Sequence, residues 1–105
     1  MNQFADDKKC LSSIKLLGDY HILRIIDALQ DGDLRFCELQ RRIDNLNPVT
    51  LTSRLKKLEE ANLVDRTEDT EDKVSVSYSL TQIGHQALPV LEAVNTFSHN
   101  AKSLA

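Results

Sequence analysis

The chain has 105 residues, 41% apolar and 28% charged, which is the balance of one globular domain with a single core and too short for two. No window approaches the roughly 18 consecutive apolar residues needed to cross a bilayer, and Met1 to Lys9 is polar where a secretion signal would be basic and then apolar, so a cytoplasmic protein with no membrane partner is expected. Thirteen cations against 16 anions leave a net charge of −3, a sum that speaks weakly against a nucleic-acid partner and leaves the decision to how the charge is distributed.

After a polar tail over residues 1–10, Leu11 to Leu17 reads as a helix that stops at Gly18, a residue able to take the left-handed conformation of a helix end. Asp19 is placed to cap a second helix, in which Ile22, Ile25, Ile26 and Leu29 form an apolar stripe before Asp31-Gly32 breaks it. Leu34-Arg35-Phe36 leads into a third helix with Phe36, Leu39 and Ile43 on one face and Arg41 and Arg42 on another. Asn47-Pro48 combines a strong cap with a proline whose missing N–H costs nothing at a first helical position, so a fourth helix is expected from Pro48 to about Ala61.

Beyond Asn62, Leu63 to Arg66 and Val74 to Leu80 read as strands joined by the polar turn Glu68 to Lys73. In the second strand Val74, Val76, Tyr78 and Leu80 alternate with Ser75, Ser77 and Ser79. Such a hairpin must lean on the helices for stability. Thr81 can cap a last helix over residues 81–105, with Leu88, Leu91, Val94 and Phe97 on or near one face and Pro89 set to kink or restart it. One helix of about 22 residues would be roughly 33 Å long, more than a small domain can cover, and the surplus apolar face calls for a second copy. The fold expected is mainly α with a small β-hairpin: a winged helix-turn-helix with an extra helix at each end, in one domain over residues 1–105.

The fourth helix carries the chemistry. At 100° per residue, Leu51, Leu55 and Leu58 share one side; Val49, Thr52, Ser53, Lys56 and Lys57 stand opposite, with Thr50 and Arg54 on the flank. From Arg35 to Lys57 there are six cations (Arg35, Arg41, Arg42, Arg54, Lys56, Lys57) against two anions (Glu38, Asp44), so an acidic chain still offers a basic face. A short, polar, cationic helix face fits a major groove about 12 Å wide, where it meets base edges and phosphates. On an isolated helix the same lysines would do no more than solvate an exposed face. The paired helices and the hairpin that follows favour DNA.

Catalysis finds no foothold: His21, His85 and His99 are scattered and read as structural or exposed, Glu59-Glu60 and Asp6-Asp7 do not face a common point, and three isolated glycines build no phosphate loop. No metal and no cofactor is expected. Cys10 and Cys37 form neither a disulfide framework nor a C-x-x-C pair and are read as reduced, Cys37 as a small packed or half-buried residue.

Gly18-Asp19, Leu23 to Ile26, Asp31-Gly32, Arg35-Phe36, Glu38-Leu39, Asn47-Pro48, Thr50-Leu51-Thr52, Arg54-Leu55, Leu58-Glu59, Leu63-Val64, Arg66-Thr67, Tyr78 to Thr81, Gly84 and Leu88 to Leu91 fall in the order and spacing of HxlR-type regulators. From about Gly18 to about Phe97 the chain resembles that family. The resemblance implies a bacterial transcription regulator and not an enzyme, a homodimer on double-stranded DNA, taken here as a repressor on an inverted-repeat operator. It assigns the dimer interface to the first and last helices, through Leu11, Ile14, Leu88, Leu91, Val94 and Phe97. Major-groove reading falls to the Pro48 helix, and contact with an adjacent minor groove or the backbone to the wing. The DNA-contacting candidates are Arg35, Arg42, Pro48, Val49, Thr50, Thr52, Ser53, Arg54, Lys56, Lys57 and Lys73.

Three positions depart from the pattern. Val49 stands where the family often has lysine and would favour a thymine methyl. Tyr20-His21 replaces a common Lys-Trp pair. The wing carries Glu68, Asp69, Glu71 and Asp72, which repel phosphates and leave Lys73 and Arg66 as its useful cations. Those acids also permit a different class of function, a winged-helix protein-interaction module that never touches DNA. Several members of the family sense oxidants or electrophiles through a cysteine near the N-terminus, so the resemblance makes Cys10 a candidate redox sensor, with Lys8 and Lys9 favouring the thiolate; the other reading is a passive residue. A small-molecule effector pocket near Tyr20, His21 and the dimer seam is the remaining expectation.

Overall fold

The structure, a computed structural model, describes residues 7–68 and 76–101. Helix α1 (Lys8–Leu17) starts inside the stretch read as a tail, because the Asp7 carboxylate accepts the Lys9 and Cys10 N–H groups at 2.9 and 3.3 Å. It closes at Gly18 in a right-handed conformation, φ −81°, not the left-handed one its residue type allowed. Glycine is needed there for room, since a Cβ would lie 2.6 Å from the Ile14 carbonyl oxygen.

Helix α2 (Tyr20–Leu29) is capped by Asp19, which accepts the Ile22 N–H at 3.1 Å. Its stripe of Ile22, Ile25, Ile26 and Leu29 is buried at the centre of the core. Leu34–Arg35 then forms strand β1, absent from the sequence reading, which pairs antiparallel with β3 (Val76–Leu80) through Leu34 opposite Tyr78 and Arg35 opposite Ser77. The wing is therefore the outer part of a three-stranded sheet of order β1-β3-β2, β2 being Val64–Glu68, and β1 gives the hairpin support it lacks alone.

Helix α3 (Phe36–Arg42) begins where the Glu38 carboxylate accepts the Arg35 N–H at 2.9 Å. Helix α4 (Pro48–Glu60) follows after a turn in which Asp44 and Asn45 both take left-handed backbone, φ 55° and 56°. The turn is pinned by Gln40, which donates from its amide to the Leu46 carbonyl at 3.0 Å and accepts the Leu46 N–H at 3.2 Å on its own carbonyl. Helix α4 ends on Asn62, φ 65°, with the Leu63 N–H bonded to Leu58 O and the Asn62 N–H to Glu59 O. This left-handed close turns buried Leu63 back onto buried Leu58.

Strand β2 (Val64–Glu68) runs two residues further than expected and pairs with β3 (Val76–Leu80) from Val64 opposite Leu80 to Glu68 opposite Val76. The tip of the wing, with Lys73 and Val74, lies outside the described residues. What the sequence suggested as one long last helix is two: α5 (Gln82–His85), capped by Thr81, and α6 (Leu88–Asn100), with Pro89 in its first turn. Thirteen residues make a helix of only about 20 Å, so the length argument for a second copy fails.

The joint between α4, the sheet and α5 is tight. Thr81 donates from its hydroxyl to Asn62 O at 2.7 Å and accepts the Gly84 N–H at 3.0 Å, which brings Gly84 against Leu63. A Cβ on Gly84 would lie 2.2 Å from the Leu63 carbonyl oxygen, a backbone atom held in the αL close. Gly84→Ala is expected to lower unfolding free energy by about 1–3 kcal/mol, read as a shifted urea midpoint with unchanged slope.

Candidate nucleic-acid interface

Helices α3 and α4 with their left-handed turn present one side of α4 to solvent. Leu51, Leu55 and Leu58 are buried against α2 and the sheet, as their angular positions require. Opposite them Val49 is 77% exposed, Pro48, Thr52, Lys56 and Lys57 are exposed, and Thr50 and Ser53 are half-buried. The Asn47 carboxamide oxygen accepts the Val49 N–H at 2.8 Å, which sets the first turn of this face. Glu60, overlooked in the angular reading, shares the outward surface with Lys56 and Lys57 at the C-terminal end and offsets part of their charge, while the earlier part of this face, from Pro48 to Ser53, is uncharged.

Beside it a cleft of about 920 Å³ opens between the start of α3, α4 and the sheet, lined by Phe36, Leu55 and Tyr78 with Arg35, Lys56 and Arg66 around them. Arg35 is exposed there. Arg66 is bound to Glu68 at 3.0 Å, which tempers its charge. Cys37, expected to be packed or half-buried, is exposed in the same cleft. Arg42 is exposed but leans toward the end of α2, its guanidinium 3.5 Å from the Ala28 carbonyl.

Two arginines act inside the molecule. Arg24, not singled out from sequence, donates to the Tyr20 hydroxyl at 2.6 Å, Asp44 at 3.3 Å and the Arg42 carbonyl at 3.1 Å, tying α2 to the left-handed turn. Its one sequence signal was the i, i+4 spacing from Tyr20. Arg54 does not point outward with the lysines: its Nε lies 3.1 Å from Asp19 Oδ2, while Asp19 Oδ1 caps α2. Partial burial opposes ionisation of Asp19, but the Ile22 N–H and the Arg54 guanidinium outweigh it and hold the carboxyl below its usual range.

A carboxylate lowered in the folded chain stabilises the fold above its unfolded value of about 3.9 and stops doing so as pH falls through the lower folded value. Asp19→Asn keeps the cap and loses the ion pair. Both partners keep about a quarter of their side-chain surface in water, 25% and 29%. The variant should therefore be less stable than the parent by under about 1 kcal/mol at neutral pH. Denaturant midpoints should show that gap closing as the pH is taken below about 3.9.

Among the described residues of α1 and α6 none is fully buried. Leu11 (41%), Ile14 (52%), Val94 (48%) and Phe97 (64%) stand exposed, whereas Leu88 and Leu91 pack against the molecule's own core. A groove of about 450 Å³ beside α1 is lined by Lys9, Cys10, Ser13, Ile14, Leu17, Gly18 and Val90, away from Tyr20 and His21, where an effector pocket was expected. The Asp7 carboxylate, as acceptor for the Cys10 thiol S–H and through its charge, pushes the thiol pKa up, the reverse of the effect expected from Lys8 and Lys9. Among the described residues no three His, Cys, Asp or Glu side chains are placed to share a metal ion, and no helix is long and apolar enough to cross a membrane.

A turn-linked helix pair with an exposed polar second helix, backed by a small antiparallel sheet, defines a winged helix-turn-helix DNA-binding protein. The HxlR-like helix-turn-helix family description matches residues 16–104, and the chain belongs to that family. It is 37% identical over 70 residues to an HTH-type transcriptional regulator of Methanothermobacter thermautotrophicus, covering 67% of this chain and 53% of that one, so it spans about half of that relative's length. With the HTH-type transcriptional regulator YvaP of Bacillus subtilis it shares 30% identity over 98 residues, 93% of this chain and 91% of YvaP. The reduced form of the transcriptional regulator YodB from B. subtilis superposes with a TM-score of 0.82 at 28% identity, over 92% of this chain and 95% of that one. YodB has also been solved quinone-bound, with a TM-score of 0.79 at 28% identity over 90% of this chain and 100% of that one. The chain is a helix-turn-helix transcriptional regulator.

Proposed function

We propose that the chain is a cytoplasmic repressor that binds an inverted-repeat operator as a homodimer, with α4 in the major groove. The observation that carries this is the division of α4 into a buried leucine side and an outward side of Val49, Thr52, Ser53, Lys56 and Lys57. Thr52 and Ser53 suit base edges, exposed Val49 suits a thymine methyl, and the lysines suit phosphates. Exposed Arg35, in the lining of the neighbouring cleft, suits an adjacent phosphate. Lys73 stays the wing's proposed contact on sequence grounds alone.

Exposed Leu11, Ile14, Val94 and Phe97 support the dimer, with Leu88 and Leu91 backing them from the core side. Twofold symmetry sets two α4 helices in successive major grooves about 34 Å apart, hence the inverted repeat. The groove beside Cys10 is the proposed effector site. A small apolar molecule, or an oxidant reaching Cys10, would be the effector, and the Asp7 carboxylate that pushes the thiol pKa up works against the thiolate form. The test is footprinting on the chain's own upstream DNA together with a promoter fusion. Two protected half-sites related by a dyad and lower transcription are expected; a single asymmetric footprint or raised transcription would contradict the reading.

A further inference from the structure

The leucines that seat α4 make non-directional contacts with the core, so a directional bond from the flank of the helix adds a constraint on its rotation that they do not supply. The Arg54 to Asp19 bond is directional, 3.1 Å long, and joins residues 35 apart in the chain. Arg54 springs from the flank of α4, between the buried leucines and the outward face. Asp19 cannot swing freely, because its other oxygen is committed to the Ile22 N–H. It also directly follows Gly18, where α1 closes on the Ile14 carbonyl. The bond therefore bears on the angle at which α4 offers Val49, Thr52 and Lys56, and small errors in such an angle misplace every contact at once.

We propose that Arg54 is a positioning residue: Asp19 holds it so that α4 presents its outward face at the angle DNA requires, and it makes no DNA contact of its own. This rests on the reading of α4 as the groove-binding helix. The experiment uses the full chain and a duplex selected by the unaltered protein from a random-sequence pool, with affinity measured by fluorescence anisotropy across a salt series. Asp19→Asn, which retains a good capping residue, and Arg54→Gln are compared with the double variant, well below their melting temperatures.

Each single change is expected to weaken binding by about three- to fivefold, and the double change by no more than either alone, because they break one shared interaction. The slope of log affinity against log salt should stay that of the parent, since no phosphate contact is lost. If Arg54→Gln lowers that slope by about one while Asp19→Asn binds normally, Arg54 is a direct phosphate contact and the proposal fails. If both singles lower the melting temperature yet bind with parental affinity, the pair only stabilises the fold and the proposal also fails. Absence of any duplex bound by the unaltered protein would instead bring down the DNA reading, and this inference with it.

Discussion

Ile14→Glu combined with Phe97→Glu is expected to give a folded monomer that binds a two-half-site duplex about 10²–10⁴-fold more weakly than the parent, the advantage that simultaneous engagement of two sites confers. Ile14 is 52% and Phe97 64% exposed in the single chain, so carboxylates there meet water and leave the helices intact. In a symmetric dimer closed by these helices the same carboxylates would be buried in the seam, where an unpaired charge is costly. Light scattering should give the mass of one chain, 11.9 kDa, for the variant and twice that for the parent. A parent that is monomeric at micromolar concentration, or a variant that stays dimeric, would contradict this assignment of the terminal helices.

Lys56→Ala with Lys57→Ala is expected to weaken binding to any duplex by about a hundredfold near physiological salt, nearly independently of sequence, and to lower the salt slope by about two. Both ammonium groups stand on the exposed side of α4. Being exposed, they contribute within about 0.5 kcal/mol to stability, so the melting temperature should hardly move. Thr52→Ala should behave differently, reducing discrimination between sequences and leaving the salt slope as it was. A lysine double variant with unchanged slope would mean that phosphates are contacted by another surface.

The site was legible wherever one residue type has one physical use. Asn47-Pro48 can start a helix and do little else, and leucines at 51, 55 and 58 can only be its inner side, so α4 was readable to within a residue at its end. Asp19 as a cap and the αα break at Asp31-Gly32 follow the same logic. Strand β1 was not legible, because two residues show no alternation and their pairing partner lies more than forty positions away. The start of α1 at Lys8 hung on one capping carboxylate with no apolar residue behind it. The split after His85 was invisible because Gln86-Ala87 carries no helix-breaking residue; only Pro89 hinted at a restart, and proline is as welcome in a first turn as it is disruptive inside a helix. Arg54 shows the limit of angular reading: the helical angle gives the direction of Cα–Cβ, while a long side chain goes to its partner, and Asp19 was known only as a cap.

Backbone amide chemical shifts recorded during titration with the selected duplex test, residue by residue, whether the outward side of α4 meets DNA. The largest movements are expected at Val49, Thr52, Ser53, Lys56 and Lys57, with smaller ones at Arg35 and little change in α6. Movements concentrated elsewhere, with the α4 amides still at their free positions when the duplex is fully bound, would contradict that contact.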